Sequence, residues 1–144
     1  MSDERGVAVR CAEAMYGRDR ASQHLGIAVD GVAPGRATAS MTVTEIMVNG
    51  HDIAHGGYVF LLADTAFAFA CNTYDEVTVA AGADVTFVAP ARLGDELVAE
   101  AVERRRFGRS GVYDVTVARA VDGEVVAEFR GRSRGLGRRL LGGE

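Results

Sequence analysis

The sequence predicts an α+β domain in which one long central helix is wrapped by a curved antiparallel sheet, and three observations lead there. The chain has 144 residues, the length of a single ordinary domain. Residues 56–74, GGYVFLLADTAFAFACNTY, are apolar nearly all round. A helix apolar on every side is buried on every side, and about 18 residues at 1.5 Å each make a helix of roughly 27 Å. After it come four stretches of strand-like alternation separated by turn signals. In a domain of this size only a sheet wrapped around the helix can bury it.

The elements follow in order. Val7, Cys11, Ala14 and Met15 recur at helical spacing, which predicts a short amphipathic helix over 7–16, ended by Gly17. Residues 19–25 form another helical turn. An extended stretch starts at Gly26 and Ile27 and is broken by Gly31 and by Pro34-Gly35. Residues 36–44 read as a strand and 47–54 as a loop around Asn49-Gly50. Beyond the central helix, 79–89 places Ala81, Ala83, Val85 and Phe87 on one face and Asp84 and Thr86 on the other. Residues 97–107 form a long strand ending in arginines, and 108–111 a hairpin loop. In 112–121, Tyr113, Val115 and Val117 share a face. Asp122-Gly123 signals a type I′ hairpin. In 124–134, Val125, Ala127 and Phe129 point inward against Glu128, Arg130 and Arg132. The whole chain, 1–144, reads as one domain, with an N-terminal helical segment at 1–26 and a flexible tail at 135–144.

Composition narrows the function. Hydrophobic residues make up 48% and charged residues 25%, the balance of a folded, soluble protein. All 16 basic residues are arginine, and the net charge is −4. That disfavours nucleic acid as a partner, since such binders carry net positive charge to displace counterions from phosphates. The charge is uneven: residues 1–102 carry −8 and residues 103–139 carry +5. A basic third on an acidic chain fits a local anion site, and it fits solvated strand faces equally. The two cysteines are too few for a disulfide scaffold and lack metal-ligand spacing, and Cys71 reads as a small core hydrophobe. Residues 1–10 hold no apolar core of a signal peptide, and the longest apolar run is too short to span a bilayer. No membrane partner, no metal and no cofactor is expected, and the expected compartment is the cytoplasm.

The chemistry centres on the long helix. Asp64 sits in its middle among Phe60, Leu61, Leu62, Ala63 and Phe67. A carboxylate there must be hydrogen-bonded or neutralised by a raised pKa. It is either a structural Asp that holds a neighbouring loop or bonds Thr65 or Asn72 locally, or a general base or nucleophile in a dry pocket. His55-Gly56-Gly57 opens the helix. The first amides of a helix lack internal partners and sit at the positive end of its dipole, so they suit a developing oxyanion, glycine permitting close approach. The alternative is a packed loop with His55 as its cap. Gly56 and Asp64 lie eight residues, about 12 Å, apart and cannot share one reacting carbon within a chain. If they act together, two helices must pack antiparallel about a two-fold axis, giving a homodimer with two shared sites. Asn49 orients a water or holds the loop. Arg109, beside Gly108 in a glycine-rich hairpin, is the better anion candidate among the arginines. Phe67, Phe69, Met15, Met47 and Tyr74 either line an aromatic pocket or fill the core.

The stretch NGHDIAHGGYVFLLADTAFAFACN, residues 49–72, strongly resembles the hotdog-fold acyl-CoA thioesterases of the phenylacetic acid degradation (PaaI) type. The likeness continues in MYGRDRASQHLGI, FVAPARLGDEL, GRSGVYDV and VVAEFRGRS, so it covers nearly the whole chain. It implies a hotdog fold and a dimer with active sites at its interface, commonly paired again into a tetramer. It implies hydrolysis of acyl-CoA thioesters, here phenylacetyl-CoA or ring-hydroxylated and related aryl forms. Carried over by motif, Asp64 is the catalytic carboxylate, Gly56 supplies the amide that polarises the carbonyl, His55 supports that loop, and Asn49 helps place the carbonyl or the water. Gly57 and Thr65 join the substrate site, with Gly108 and Arg109 near the CoA phosphates. One departure is that Gly82 stands near where some relatives carry a Ser that holds water, and Thr65 or a second water would substitute. The rival readings are a hotdog dehydratase or hydratase using His55 with Asp64, and a non-catalytic acyl-CoA binding protein.

Overall fold

The computed structural model describes residues 3–142. Helices α1 (Glu4–Tyr16) and α2 (Arg20–His24) precede strands β1 (Ala28–Ala33) and β2 (Arg36–Thr42). A 3-10 turn at Glu45–Met47 leads into α3 (Gly56–Cys71), followed by β3 (Thr78–Phe87), β4 (Glu96–Phe107), β5 (Ser110–Arg119) and β6 (Val125–Gly135). The six strands form one sheet in the order β1-β2-β4-β5-β6-β3, and every neighbouring pair is antiparallel. Hairpins join β1 to β2, β4 to β5 and β5 to β6. The β2-to-β3 connection instead carries α3 across the sheet face, so β3 ends at the edge beside β6. This is the hotdog arrangement.

Side-chain size sets how closely helix and sheet approach. Ala37 and Ala39 of β2 and Ala99 and Ala101 of β4 are buried beneath the helix, and their single methyls let its backbone come near. Towards β6 the rings take over. Phe67 lies 5.7 Å from the ring of Tyr113 and 5.8 Å from that of Phe129. A β-carbon at Gly131 would come within 2.7 Å of the Phe67 ring, so the sheet needs a glycine there. Phe67, Phe69 and Met47 are all buried in this core, which assigns them to packing and not to a substrate pocket. Helix α1 closes the other flank through buried Ala8 and Cys11, and the Tyr16 hydroxyl donates to the Ile27 carbonyl at 2.5 Å.

The sheet does not close around α3, contrary to the expectation of a helix buried on every side. Val59, Leu62, Ala63, Ala66 and Phe67 are buried, whereas Phe60, Leu61, Asp64 and Ala68 are only half-buried. Beside this open face runs the edge strand β3, and Val79, Phe87 and Val88 are exposed along it.

Three local expectations are corrected. Gly31 does not end its strand. It lies inside β1 at φ +58, where the register with β2 shifts between Asp30 and Ala33, so its conformational freedom makes a bulge. The Asp122-Gly123 connection is not a type I′ turn, which needs positive φ at both central residues; of the two only Gly123 has it, at +74. The loop is longer, closed by Gly123 N donating to Arg119 O at 2.8 Å and Arg119 N to Glu124 O at 2.9 Å. The guanidinium of Arg119 bridges Asp122 and Glu124.

The third correction is the tail. Through residue 141 it is a strap bound back onto the fold, and residues 143–144 lie outside the described chain. Leu136 N donates to Val77 O at 2.8 Å, and Val77 N to Arg138 O at 2.9 Å. The Glu76 carboxylate accepts from Gly137 N at 2.8 Å. Asp75 accepts from Leu140 N at 3.1 Å, from Leu141 N at 2.7 Å and from the Arg139 guanidinium at 2.8 Å. These donors, the Leu141 amide foremost, hold its carboxyl below the usual range. A depressed folded-state pKa gives stability that is present above the unfolded value and lost only as pH falls through the folded one. We expect Asp75→Ala to release the strap: trypsin should cleave after Arg138 and Arg139 about tenfold faster at neutral pH, while Tm falls by only about 2–4 °C.

Candidate active site

The loop before α3 is held shut by its own residues. Asn49 Oδ1 accepts from the amides of His51 at 2.8 Å and Ile53 at 3.4 Å, and Asn49 N donates to Ile53 O at 2.8 Å. The Asn49 carbonyl-type oxygen is thus the clasp of this loop. Two backbone bonds of 2.7 Å anchor the loop to the body, His55 N to Met47 O and Ala54 N to Ala91 O.

His55 is the N-cap of α3, and its Nδ1 accepts from Gly57 N at 2.9 Å. That bond places the proton of the neutral ring on Nε2. Tyr58 N and Val59 N both reach His55 O. Among the described residues, Gly56 N is the amide of this first turn left without a partner. It points from the positive end of the helix dipole. A β-carbon at Gly56 would meet the tip of the Phe87 ring at 2.9 Å, so any larger residue here must displace that ring. Phe87 is 53% exposed, although its place in the strand pattern predicted an inward residue. With Asn49, Gly56, Val59, Pro90 and Val126 it lines a cleft of about 510 Å³.

Asp64 lies two turns along α3, half-buried on the open face. The two local partners named for a structural role, Thr65 and Asn72, are engaged elsewhere. Thr65 is buried, and its hydroxyl lies 3.3 Å from that of Ser22. Asn72 Nδ2 donates to Ala68 O and Thr78 O, and its Oδ1 accepts from Thr78 N, each at 2.9 Å. Asp64 has no hydrogen bond or ion pair among the described residues. Burial pushes its carboxyl above the usual range. Burial likewise pushes the nearby Cys71 thiol up to about 12, with the Asp64 charge adding to the effect, so this thiol is inert.

Gly108 and Arg109 make the tight turn between β4 and β5, Gly108 at φ +60. The Arg109 carbonyl accepts from Gly135 N at 2.7 Å, and its guanidinium lies beside Gly137. This turn shares a small cavity with Cys71, the last residue of α3. Asn49, His55, Gly56 and Gly57 therefore gather at the start of the helix, Asp64 sits mid-helix, and Gly108 and Arg109 lie at its far end. Thr65 faces away, towards α2. Gly82 adjoins a bulge in β3, packed against Arg132. Tyr74 donates to Glu103 at 2.7 Å, and Met15 lines a separate large cavity.

Known proteins place this geometry in a family. Residues 51–126 match the family model described as the thioesterase superfamily. The chain is 41% identical to an acyl-coenzyme A thioesterase, PaaI, of Escherichia coli over 91% of its own length and 93% of that protein's. The structure of E. coli PaaI, from the phenylacetic acid degradation operon, superposes with a TM-score of 0.91 at 40% identity, covering 94% of this chain and 97% of that one. A protein from Thermus thermophilus, TT0310, superposes at 0.78 with 36% identity, covering 82% and 98%. An N-capped helix with an unpartnered first amide, an uncompensated carboxylate two turns on, and likeness along nearly the full length converge: the chain belongs to the thioesterase superfamily and is a thioester hydrolase of the hotdog fold.

Proposed function

We propose that this protein hydrolyses aryl-acyl-CoA thioesters, phenylacetyl-CoA or a ring-hydroxylated form, at sites shared between two chains. One observation carries the reading: a carboxylate and an amide on one helix, each without a partner, stand too far apart to meet within a chain. Antiparallel packing of two α3 helices through Phe60, Leu61 and Ala68 would bring the Asp64 of one chain to the Gly56 of the other. It would also cover the exposed edge of β3. The dimers pair again into a tetramer. Scattering should then give a mass of two or four times the 15.2 kDa chain.

The thioester oxygen accepts from the Gly56 amide. Asp64 takes a proton from water as the water oxygen bonds to the carbonyl carbon. The oxyanion is stabilised by the helix N-terminus. As it collapses, the carbon–sulfur bond breaks, and the Asp64 proton passes to the departing CoA sulfur. If Asp64 instead attacks the carbonyl itself, single-turnover hydrolysis in ¹⁸O water would put the heavy atom first into the protein carboxylate. His55 supports the amide, since its Nδ1 is committed to Gly57 N. That commitment counts against a dehydratase or hydratase in which His55 moves protons. Release of free thiol, against a change in enoyl absorbance, separates the two. A pure acyl-CoA binder would tolerate loss of Asp64. The aryl preference is supported by the likeness to a protein of phenylacetic acid degradation and by the exposed ring of Phe87 at the cleft.

Asp64→Asn should lower kcat by about 10³, within the range of a lost general base, and leave the dimer intact. Because burial raises this carboxyl, it costs the fold stability as pH rises from the unfolded value through the folded-state pKa, and the full cost is present above that. The variant should therefore be no less stable than the parent at neutral pH. The acid limb of kcat/KM should lie above the ordinary carboxylate value of about 3.9, with activity lost as pH falls through it. Gly56→Ala should lower kcat by about tenfold or more through its clash with Phe87, and adding Phe87→Ala should restore part of the loss; no restoration would place the fault in the backbone. Across a panel of phenylacetyl, hydroxyphenylacetyl, benzoyl and medium-chain CoA esters, kcat/KM should favour the aryl esters, and a preference for straight chains would refute the aryl assignment.

A further inference from the structure

Thr65 follows Asp64 on α3, yet the proposed reaction gives its hydroxyl no task. In a helix interior a threonine hydroxyl commonly bonds the carbonyl one turn back, which for Thr65 is that of Leu61. Here it reaches out of the helix instead, to Ser22 Oγ of α2 at 3.3 Å. Ser22 is 1% exposed and Thr65 7%, so water does not stand in for either partner. Ser22 is itself a fixed post. Its amide and its hydroxyl both donate to Asp19, the N-cap of α2, at 3.0 Å and 2.7 Å, and its carbonyl accepts from Ile27 N at 2.9 Å. A carboxylate only accepts, so the single proton of the Ser22 hydroxyl lies towards Asp19. Thr65 Oγ1 is therefore the donor to Ser22 Oγ. The result is a directed chain, Thr65 to Ser22 to Asp19, running from the buried flank of α3 to a charged end.

We infer that Ser22 and Thr65 are positioning residues: their buried hydrogen bond fixes the rotation of α3 about its axis and so aims the Asp64 carboxylate. The inference rests on the proposed role of Asp64. Packing against the sheet constrains that rotation weakly along much of the helix. Beneath α3 the sheet presents the methyls of Ala37, Ala39, Ala99 and Ala101, and α3 turns Ala63, Ala66 and Ala70 into the core. Side chains this small make shallow ridges and grooves, and apolar contact has no preferred direction. A hydrogen bond does have one. Among the described residues, Thr65 to Ser22 is the only side-chain hydrogen bond from α3 to another element. Asp64 and Thr65 are consecutive, about 100° apart around the helix, so holding one holds the other. A carboxylate stands about 5–6 Å from the axis, and a turn of about 10° carries it roughly 1 Å. Misplacement on that scale can lower a rate by about 10²-fold. Thr65 thus serves Asp64 from the buried flank, where it has no access to the substrate.

The test is steady-state kinetics of full-chain variants, well below Tm, with the most active ester of the acyl-CoA panel. Thr65→Val removes the donor and Ser22→Ala the acceptor. Each should lower kcat about tenfold and change KM less than about twofold, because the carboxylate acts on water in the transition state and not in binding. The double variant should lose no more than either single one, since both delete the same bond. Thr65→Ser, which keeps the donor, should bring kcat back to within about threefold of the wild type. Thr116→Val, which removes an outer-face hydroxyl bonded to Glu128 at 2.9 Å, should leave kcat within about twofold. If Ser22→Ala lowers Tm but keeps wild-type kcat, the bond only docks α2 and the inference is overturned. Multiplied losses in the double variant, or no recovery in Thr65→Ser, overturn it too. Should Thr65→Val not fold, Ser22→Ala decides by itself. Asp64→Asn, measured alongside, separates the two readings. Wild-type kcat in Asp64→Asn refutes the role of Asp64, and the aim of its carboxylate with it. Loss in Asp64→Asn with none in Ser22→Ala refutes the positioning role alone.

Discussion

A helix apolar on every side has met a sheet with only one face to offer it, and that mismatch governs the rest of the molecule. The sheet buries Val59, Leu62, Ala66 and Phe67 and leaves Phe60, Leu61, Asp64 and Ala68 half-covered. Burying apolar area is worth roughly 25 cal/mol per Å², so this face and the exposed residues of the β3 edge strongly favour a second surface against them. The same face carries a charge, which opposes that burial. A carboxylate kept in such a place costs stability and does not add to it.

Two aspartates only eleven residues apart show what separates a compensated carboxylate from an uncompensated one. Asp75 receives two backbone amides and a guanidinium, and its pKa falls. Asp64 receives nothing from the described residues, and burial raises its pKa. The donors beside it have been taken up, Thr65 by Ser22 and Asn72 by the backbone around Thr78. Likewise Gly57, Tyr58 and Val59 spend their amides on His55 while Gly56 keeps its own. The fold satisfies the groups around Asp64 and Gly56 and leaves the Asp64 carboxylate and the Gly56 amide themselves without partners among the described residues.

Most of the fold was legible because burial imposes a period. Tyr113, Val115 and Val117 alternate along β5, and Phe129 and Ala127 along β6, and all five are buried. What escaped had no period to read. The strap has no alternation of its own and is held through backbone amides to Asp75 and Glu76, more than sixty residues earlier. Gly31 carries the same turn signal whether it ends a strand or bulges one, and the sheet register decides. Phe87 follows the inward pattern but sits where β3 runs out at an edge, so its ring turns to Gly56.

The sequence by itself determined the class of fold, the buried central helix, and which residues were eligible for chemistry, because each depends on local composition and spacing. Asp64 stood out as a charge among hydrophobes, and Gly56 as a glycine at a helix start. Only the tertiary structure decided which eligible residues are at liberty to act. It gave Thr65 to Ser22, made Asn49 the clasp of its loop, and paired five of the ten C-terminal arginines with acids. Hydrogen-bond and charge partners are brought together by the sheet and the strap from distant parts of the chain, so no local pattern records them.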